Sequence, residues 1–150
     1  MMPEQKIKVE INVPAMMRDS TILRADVYRP DTAEKYPTLV IRTPYNKSAP
    51  RYHVTFDPIR LAKNDYVVVM QDCRGTMASD GEFKPFEVEV EAKDGYDIVE
   101  WAAKQAWSNG KVGMYGISYR ARKGLQIQHR SCSNQQCVQS WASYKGRNIE

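Results

Sequence analysis

Hydrophobic and polar residues alternate near the start of the chain, from Ile7 to Val13, as is typical of a strand buried on one face. A turn sequence, "RDS", follows at residues 18–20. The next stretch, "TILRADVYRP", again favours a strand and is stopped by Pro30. These patterns predict an antiparallel hairpin at the start of the fold.

Two later runs are continuously apolar instead of alternating: "TLVIR" at residues 38–42 and "DYVVVMQD" at residues 65–72. Short runs rich in β-branched residues are typical of strands buried on both faces of a parallel sheet. Between them, "FDPIRLAKN" at residues 56–64 has helical spacing and predicts a short helix, after a loop rich in Pro, Asn and Ser.

The strongest helical pattern follows, over residues 88–105, and ends at "WSNG". Apolar residues recur there with a period of 3.6, which predicts a buried stripe formed by Val88, Ala92, Tyr96, Val99 and Ala103. The first turns are acidic, which suits the positive end of the helix dipole. The stretch "KVGMYGIS", residues 111–118, predicts one further strand.

The predicted order is two antiparallel strands followed by strand, helix, strand, helix and strand. Strands that alternate with helices indicate an α/β fold with a mostly parallel sheet and right-handed crossovers. Ligands of such sheets bind at the carboxyl ends of the strands. The loops "TPYNK", "QDCRG" and "GISYR" should therefore meet at one edge, although they lie far apart in sequence.

Composition fits one soluble globular domain, with 42% hydrophobic and 27% charged residues. No apolar run is long enough for a bilayer, and the N-terminus has no signal-like pattern. Three cysteines without regular spacing argue against a disulfide framework and favour a cytoplasmic setting. The net charge of +4 arises in the last 31 residues, where six basic residues face one acid.

Four segments in the same order resemble the N-terminal part of the CocE/NonD hydrolases, the cocaine-esterase and X-prolyl dipeptidyl-peptidase family. They are "RADVYRP", "YPTLVIRTPYNK", "YVVVMQDCRGTMASDGEF" and "DGYDIVEWAAKQAWSNGKVGMYGISY", and the likeness extends from about Arg18 to Tyr119. The resemblance implies an α/β-hydrolase fold and a Ser-Asp-His triad that needs no cofactor or metal. It implies small-molecule ester, amide or X-Pro peptide substrates, and neither nucleic acid nor membrane as a partner; it leaves the oligomeric state open.

Three residues match the family's site. Ser118 falls on the nucleophile, Tyr45 on the tyrosine whose hydroxyl contributes to the oxyanion hole, and the backbone N–H of Tyr119 on the second oxyanion donor. A serine at a tight turn after a strand projects its hydroxyl from the sheet edge. Each preorganised donor to a tetrahedral oxyanion contributes about 3–4 kcal/mol.

The likeness stops abruptly after Tyr119. The family has small residues there, where the turn passes close to the neighbouring strand, whereas this chain has Arg120 and Arg122. We therefore predict a partial hydrolase domain over residues 1–119 and a non-homologous basic tail over residues 120–150 that is either the product of a frameshift or disordered. No aspartate follows Ser118, so we expect little or no turnover and an uncovered sheet edge that favours aggregation.

Other residues could carry chemistry, and each also has a structural interpretation. Asp72, Arg74 and Asp80 favour an ion-pair network that holds their loop, and Cys73 favours a small buried side chain. Neither His53 nor His129 is expected to act as a triad base, and Cys132 and Cys137 lack the partners of a zinc site. The alternatives are a non-catalytic interaction module that binds a partner through the basic tail, and a truncated, pseudogene-like product.

Overall fold

The computed structural model describes residues 4–85, 87–115 and 139–140. In chain order these form β1 (Ile7–Met16), β2 (Ile22–Pro30), β3 (Tyr36–Thr43), α1 (Pro50–Phe56), α2 (Pro58–Lys63), β4 (Val67–Asp72), α3 (Val88–Ala103), β5 (Ser108–Met114) and β6 (Gln139–Ser140). None of the helices in these ranges has the length and apolar character needed to cross a membrane.

The six strands form one sheet in the order β1-β2-β4-β3-β5-β6. β1 pairs with β2, and β2 with β4, in antiparallel fashion. The pairs of β3 with β4, β3 with β5 and β5 with β6 are parallel. The predicted α/β class, with an antiparallel hairpin joined to a mostly parallel sheet, is confirmed.

Helices cover both faces of this sheet. On one face, Ile98 and Ala102 of α3 pack against the alternate residues of the strands that include Val40 and Val69. On the other face, Phe56 and Ala62 of α1 and α2 pack against the intervening residues, including Ile41 and Met70. The parallel strands are therefore buried on both sides, as their continuous apolar sequences predict.

The segment between β3 and β4 contains two helices, so the single helix predicted over residues 56–64 is wrong in its bounds. Pro50 and Pro58 each stand in the first turn of a helix, a position that suits the fixed φ of proline. Asp57 lies between the helices with φ of 39°, and its carboxylate accepts a hydrogen bond from the Arg60 N–H. The residue before proline is disfavoured in the α conformation, which explains the break at Asp57.

The predicted buried stripe of α3 is also wrong. Val88 is exposed, and Ala92, Tyr96 and Ala103 are only partly buried; of the predicted set, Val99 alone is buried. The buried face consists of Glu91, Asp94, Gly95, Ile98, Val99 and Ala102. The helix is thus rotated so that two carboxylates at its N-terminal half face the sheet.

A two-residue strand from the tail contacts the outer edge of β5. Gln139 and Ser140 pair with Gly113 and Met114 in parallel, so the expectation that no later strand covers this edge is wrong at these positions. The tail's side-chain pattern gave no sign of a strand. Pairing at a sheet edge uses backbone N–H and C=O groups, which every residue except proline supplies in full.

Arg74 connects the hairpin turn to α3. Its guanidinium donates to Asp94 at 2.7 and 2.9 Å, to Asp19 at 2.8 and 3.2 Å and to the Thr21 hydroxyl at 2.7 Å. The hydrogen bonds that Arg74 donates to Asp94 and Asp19 raise the pKa of Arg74, and those to Asp94 have the larger effect. The hydrogen bonds from Arg74, followed by that from the Thr21 N–H, lower the pKa of Asp19 from 3.8 to about 2.

We expect the Asp19–Arg74 contact to stabilise the fold only while Asp19 is ionised. Because the pKa of Asp19 is lower in the folded state, its contribution is present above pH 3.8 and is lost as the pH falls toward about 2. Urea denaturation of the protein and of D19N at pH 7, 4 and 2 measures this. The difference between the two should shrink toward pH 2, whereas a pH-independent difference, or one equal to that of the exposed-site control D31N, would contradict it.

Candidate active site

The carboxyl ends of β3, β4 and β5 lie together at one edge of the sheet. Thr43 is in register with Asp72 across β3 and β4, and Val40 is in register with Met114 across β3 and β5. The N–H of Tyr115 donates to the Val40 carbonyl at 3.0 Å, so the contact continues one residue beyond β5. The predicted meeting of the loops is confirmed for those after β3 and β4, and for the third as far as Tyr115; Ser118 and Tyr119 lie outside the described residues.

Tyr45 stands at this edge, two residues after the end of β3. Its backbone N–H donates to the Thr43 hydroxyl oxygen at 3.0 Å, which fixes the exit of the loop from the strand. Asn46 follows with φ of 76°, in the left-handed region that asparagine tolerates. Tyr45 is 48% exposed, so the residue is open to solvent at this edge of the sheet.

Directly after this turn, Lys47 is buried in a polar cluster with Asn12, Asp26 and Asp72, here called the Lys47 cluster. The ammonium nitrogen of Lys47 lies 2.7 Å from Asn12 Oδ1, 3.1 Å from Asp72 Oδ2 and 3.4 Å from Asp26 Oδ1. The backbone N–H of Lys47 donates to Asp72 Oδ1 at 2.9 Å. Asp72 therefore holds both the backbone and the side chain of Lys47.

The first strand is shaped to take part in this cluster. The register of β1 against β2 shifts between Glu10 and Val13, and Asn12 has φ of 54° within this bulge. The Asn12 N–H donates to Asp26 Oδ1 at 2.9 Å while its side-chain oxygen accepts from Lys47. Bulges commonly redirect a side chain next to a functional site, and this one aims Asn12 at the loop that carries Tyr45.

A second ionic cluster lies on the opposite face of the same strand ends. Arg42, fully buried, donates from Nε to Gln71 Oε1 at 2.9 Å. Its Nη1 donates to the Glu91 carbonyl at 3.1 Å and to Glu91 Oε2 at 3.3 Å, and its Nη2 lies 3.8 Å from Asp94 Oδ2. Since successive side chains of a strand point to opposite faces, Arg42 and Gln71 face α3, whereas Thr43 and Asp72 face the Lys47 cluster.

The loop after β4 is held by its own polar contacts, as the sequence predicts. The Ser79 hydroxyl donates to the Asp72 carbonyl at 2.7 Å, and the Ala78 N–H donates to Asp72 Oδ2 at 3.4 Å. Arg24 donates to Asp80 Oδ1 at 2.7 Å. With the Arg74 contacts, these interactions confirm the structural interpretation of Asp72, Arg74 and Asp80.

The remaining candidates add no reactive centre within residues 4–115. Cys73 is buried, in agreement with its structural interpretation. His53 packs its ring edge-on against Tyr28, with ring centroids 5.8 Å apart. Across the described part of the chain, no three His, Cys, Asp or Glu side chains are placed to hold a metal ion. His129, Cys132 and Cys137 lie outside that part.

Five buried charged residues that support this edge were not predicted from the sequence: Asp26, Arg42, Lys47, Glu91 and Asp94. One signal was available, because Arg42 and Gln71 lie one residue before the ends of strands that are mostly apolar. A polar group buried in such a strand needs a partner, so these two positions indicate further polar groups opposite them. The identity of those partners, dozens of residues away, is not encoded locally.

Comparison with known families identifies the architecture. Residues 19–145 match the X-Pro dipeptidyl-peptidase (S15) family. The matched range includes Tyr45, Ser118 and Tyr119. It also extends past Tyr119, while the proposed boundary at that residue stays a prediction.

Individual relatives agree with this match. Cocaine esterase from a Rhodococcus strain is 41% identical over 120 residues, which are 79% of this chain and 21% of that protein. A CocE/NonD family hydrolase from Staphylococcus aureus superposes with a TM-score of 0.74 at 31% identity, covering 83% of this chain and 25% of that one. An α-amino acid ester hydrolase gives a TM-score of 0.69 at 25% identity, covering 87% and 24%.

The chain thus spans about a fifth to a quarter of the length of these relatives. The family match begins at residue 19, after β1, and includes β2, the parallel strands β3 to β5 and the loops at their carboxyl ends. The expected fold, the N-terminal portion of an α/β-hydrolase, is confirmed, and the chain belongs to the X-Pro dipeptidyl-peptidase (S15) family of CocE/NonD hydrolases.

Proposed function

We propose that this chain supplies the nucleophile and the oxyanion-stabilising groups of a serine hydrolase site that acts on acyl esters, amides or X-Pro peptides. Ser118 is the nucleophile, and the Tyr45 hydroxyl and the Tyr119 backbone N–H stabilise the oxyanion. The observation that carries the proposal is the position of Tyr45. Tyr45 follows β3 at the carboxyl edge of the sheet, and β3 pairs with β5. Ser118 comes four residues after the end of β5 in the sequence.

The chemistry of these groups is complementary. Attack by the serine oxygen on an acyl carbon converts the carbonyl oxygen into an anion, and two fixed donors stabilise it as it forms. An exposed tyrosine on a loop held from both sides can supply one donor. The backbone N–H after the nucleophile supplies the other in α/β-hydrolases.

A serine hydroxyl needs a base to react efficiently at neutral pH. No aspartate follows Ser118 in this sequence, and the one histidine after it is His129. We therefore propose that Ser118 of the 150-residue chain is positioned as a nucleophile but reacts slowly, because no base activates its hydroxyl. Full turnover requires an aspartate and a histidine that activate the serine.

Covalent labelling tests the proposal without requiring turnover. A fluorophosphonate reacts with the Ser118 oxygen, forming an O–P bond and releasing fluoride, while the hydroxyl proton passes to solvent. We expect mass spectrometry to locate the adduct on Ser118 in the native chain, and the Tyr45→Phe variant to label about one hundredfold more slowly because it lacks one oxyanion donor.

Two controls make the labelling result specific. Ser118→Ala removes the reactive group and should abolish the adduct, and urea-denatured protein reports the reactivity of an unpositioned serine. The proposal fails if native and denatured chains label Ser118 at equal rates, or if other serines label as fast as Ser118.

A further inference from the structure

The loop that carries Tyr45 is fixed at points on both sides of that residue. Before it, the Tyr45 N–H is bonded to the hydroxyl of Thr43, the last residue of β3. After it, the backbone and the ammonium group of Lys47 are both bonded to Asp72, the last residue of β4. A tyrosine with a half-exposed ring thus stands on a backbone that has little freedom to move.

The strength of the second fixed point comes from burial. The side chains of Lys47, Asp72 and Asp26 are 4%, 0% and 2% exposed, so water does not screen their interaction. A buried ammonium group is costly unless several acceptors surround it, and here two carboxylates and the Asn12 amide oxygen do so. The arrangement has few alternatives, because a displaced Lys47 would leave buried charges without compensation.

Lys47 connects three strands at one point. Asn12 belongs to β1, Asp26 to β2 and Asp72 to β4, while the lysine itself follows β3. Asn12 has a left-handed φ, which asparagine tolerates, and the bulge around it brings its side chain to Lys47 and its N–H to Asp26.

We propose that Lys47 is a positioning residue for Tyr45: its buried contacts with Asp72, Asp26 and Asn12 hold the loop so that the Tyr45 hydroxyl is preorganised as an oxyanion donor. The inference rests on the proposed function for its catalytic meaning. The orientation of Tyr45, and its dependence on Lys47, do not require the proposed function and are measured independently of it.

The orientation of Tyr45 is measured with 3-fluorotyrosine incorporated at position 45 of the 150-residue chain. We expect one narrow ¹⁹F resonance away from the random-coil shift in the native protein. Lys47→Met should move it toward the random-coil shift, and Lys47→Arg, which keeps the charge, should lie closer to the native value. Lys63→Met is the matched control, because Lys63 is exposed and pairs only at the surface with Glu4 in the described part of the chain.

A milder variant covers the case in which Lys47→Met does not fold. Asn12→Gly removes the amide acceptor of Lys47 but suits the positive φ at that position. It keeps the backbone N–H that donates to Asp26. We expect a smaller shift of the same resonance in the same direction. An unchanged resonance in a folded Lys47→Met or Asn12→Gly protein overturns the proposal.

The labelling rate of Ser118 tests the catalytic meaning through a double-mutant cycle. We expect Lys47→Met to slow fluorophosphonate labelling by about tenfold to one hundredfold, the effect of a misplaced group at a reacting centre. In the Tyr45→Phe background the same substitution should change the rate by less than about twofold, since its effect passes through the Tyr45 hydroxyl. Equal effects in both backgrounds would show that Lys47 acts on the fold alone and would overturn the positioning role.

The two proposals fail in distinguishable ways. If Ser118 in the native protein does not label above the denatured control, the proposed function fails, while the ¹⁹F measurement still decides whether Lys47 orients Tyr45. If Ser118 labels as expected but the ¹⁹F shift is the same in Lys47→Met and Asn12→Gly as in the native protein, the proposed function stands and the positioning role fails.

Discussion

Replacement of Arg42 by methionine is expected to lower the free energy of unfolding by about 3–5 kcal/mol, the usual cost of removing one partner of a buried ion pair. The Arg42 side chain is 1% exposed, and its guanidinium lies next to the carboxylates of Glu91 and Asp94 on α3. Methionine fills similar volume but supplies no donor to these carboxylates or to the Gln71 oxygen. Domains of this size are stable by about 5–15 kcal/mol, so the loss would remove most of the stability of a domain at the lower end of that range.

Urea denaturation followed by tryptophan fluorescence measures this loss. Arg60→Met is the matched control, since Arg60 is exposed on α2 and a surface change should stay within about 0.5 kcal/mol. The double variant R42M/E91Q should recover part of the stability, because a neutral amide is less costly to bury than a carboxylate. A loss below about 1 kcal/mol for R42M would show that the buried charges do not depend on Arg42.

The strands of this fold could be predicted because their sequences carry the signal locally. β3 and β4 are short runs of β-branched and apolar residues, and the hairpin strands are bounded by a turn sequence and a proline. Short apolar runs of this kind are typical of strands that are buried on both faces of a sheet. The meeting of the loops at one edge then follows from the direction of parallel strands and needs no side-chain information.

The orientation of α3 could not be predicted by the same reasoning. Two stripes with helical spacing compete in its sequence, one apolar and one that includes Glu91 and Asp94 with Ile98 and Ala102. Hydrophobicity favours the apolar stripe, yet the second is buried because Arg42 and Arg74 neutralise its carboxylates. Those partners lie 20 or more residues away in sequence, so the choice depends on tertiary contacts.

In the candidate site, too, local sequence predicts some residues, whereas others depend on contacts between distant parts of the chain. Tyr45 could be located from its motif and from the resemblance that the motif carries. The Lys47 cluster could not, because it joins an asparagine in a bulge, an aspartate in β2 and an aspartate at the end of β4. Sequence alone therefore indicates the candidate site residue Tyr45 better than the buried residues that contact its loop.

The second large effect is expected at Gly75, in the loop that leads from β4 to α3. Gly75 has φ of 67°, and its N–H donates to the Asp80 carbonyl at 2.9 Å. A Cβ there would overlap with the backbone N of Phe83 and the carbonyl carbon of Glu82. Alanine in the left-handed region alone costs about 1–2 kcal/mol. The overlap with backbone can be relieved only by moving residues 82–83, so Gly75→Ala should cost about 3 kcal/mol or more in all.

Gly81→Ala separates the two contributions to this cost. Gly81 also has a positive φ, of 92°, but a Cβ there would meet the side chain of Arg74 at 2.8 Å, which can shift more easily than backbone. In urea denaturation, Gly75→Ala should therefore lose clearly more stability than Gly81→Ala. Equal losses would mean that the left-handed backbone is the whole effect.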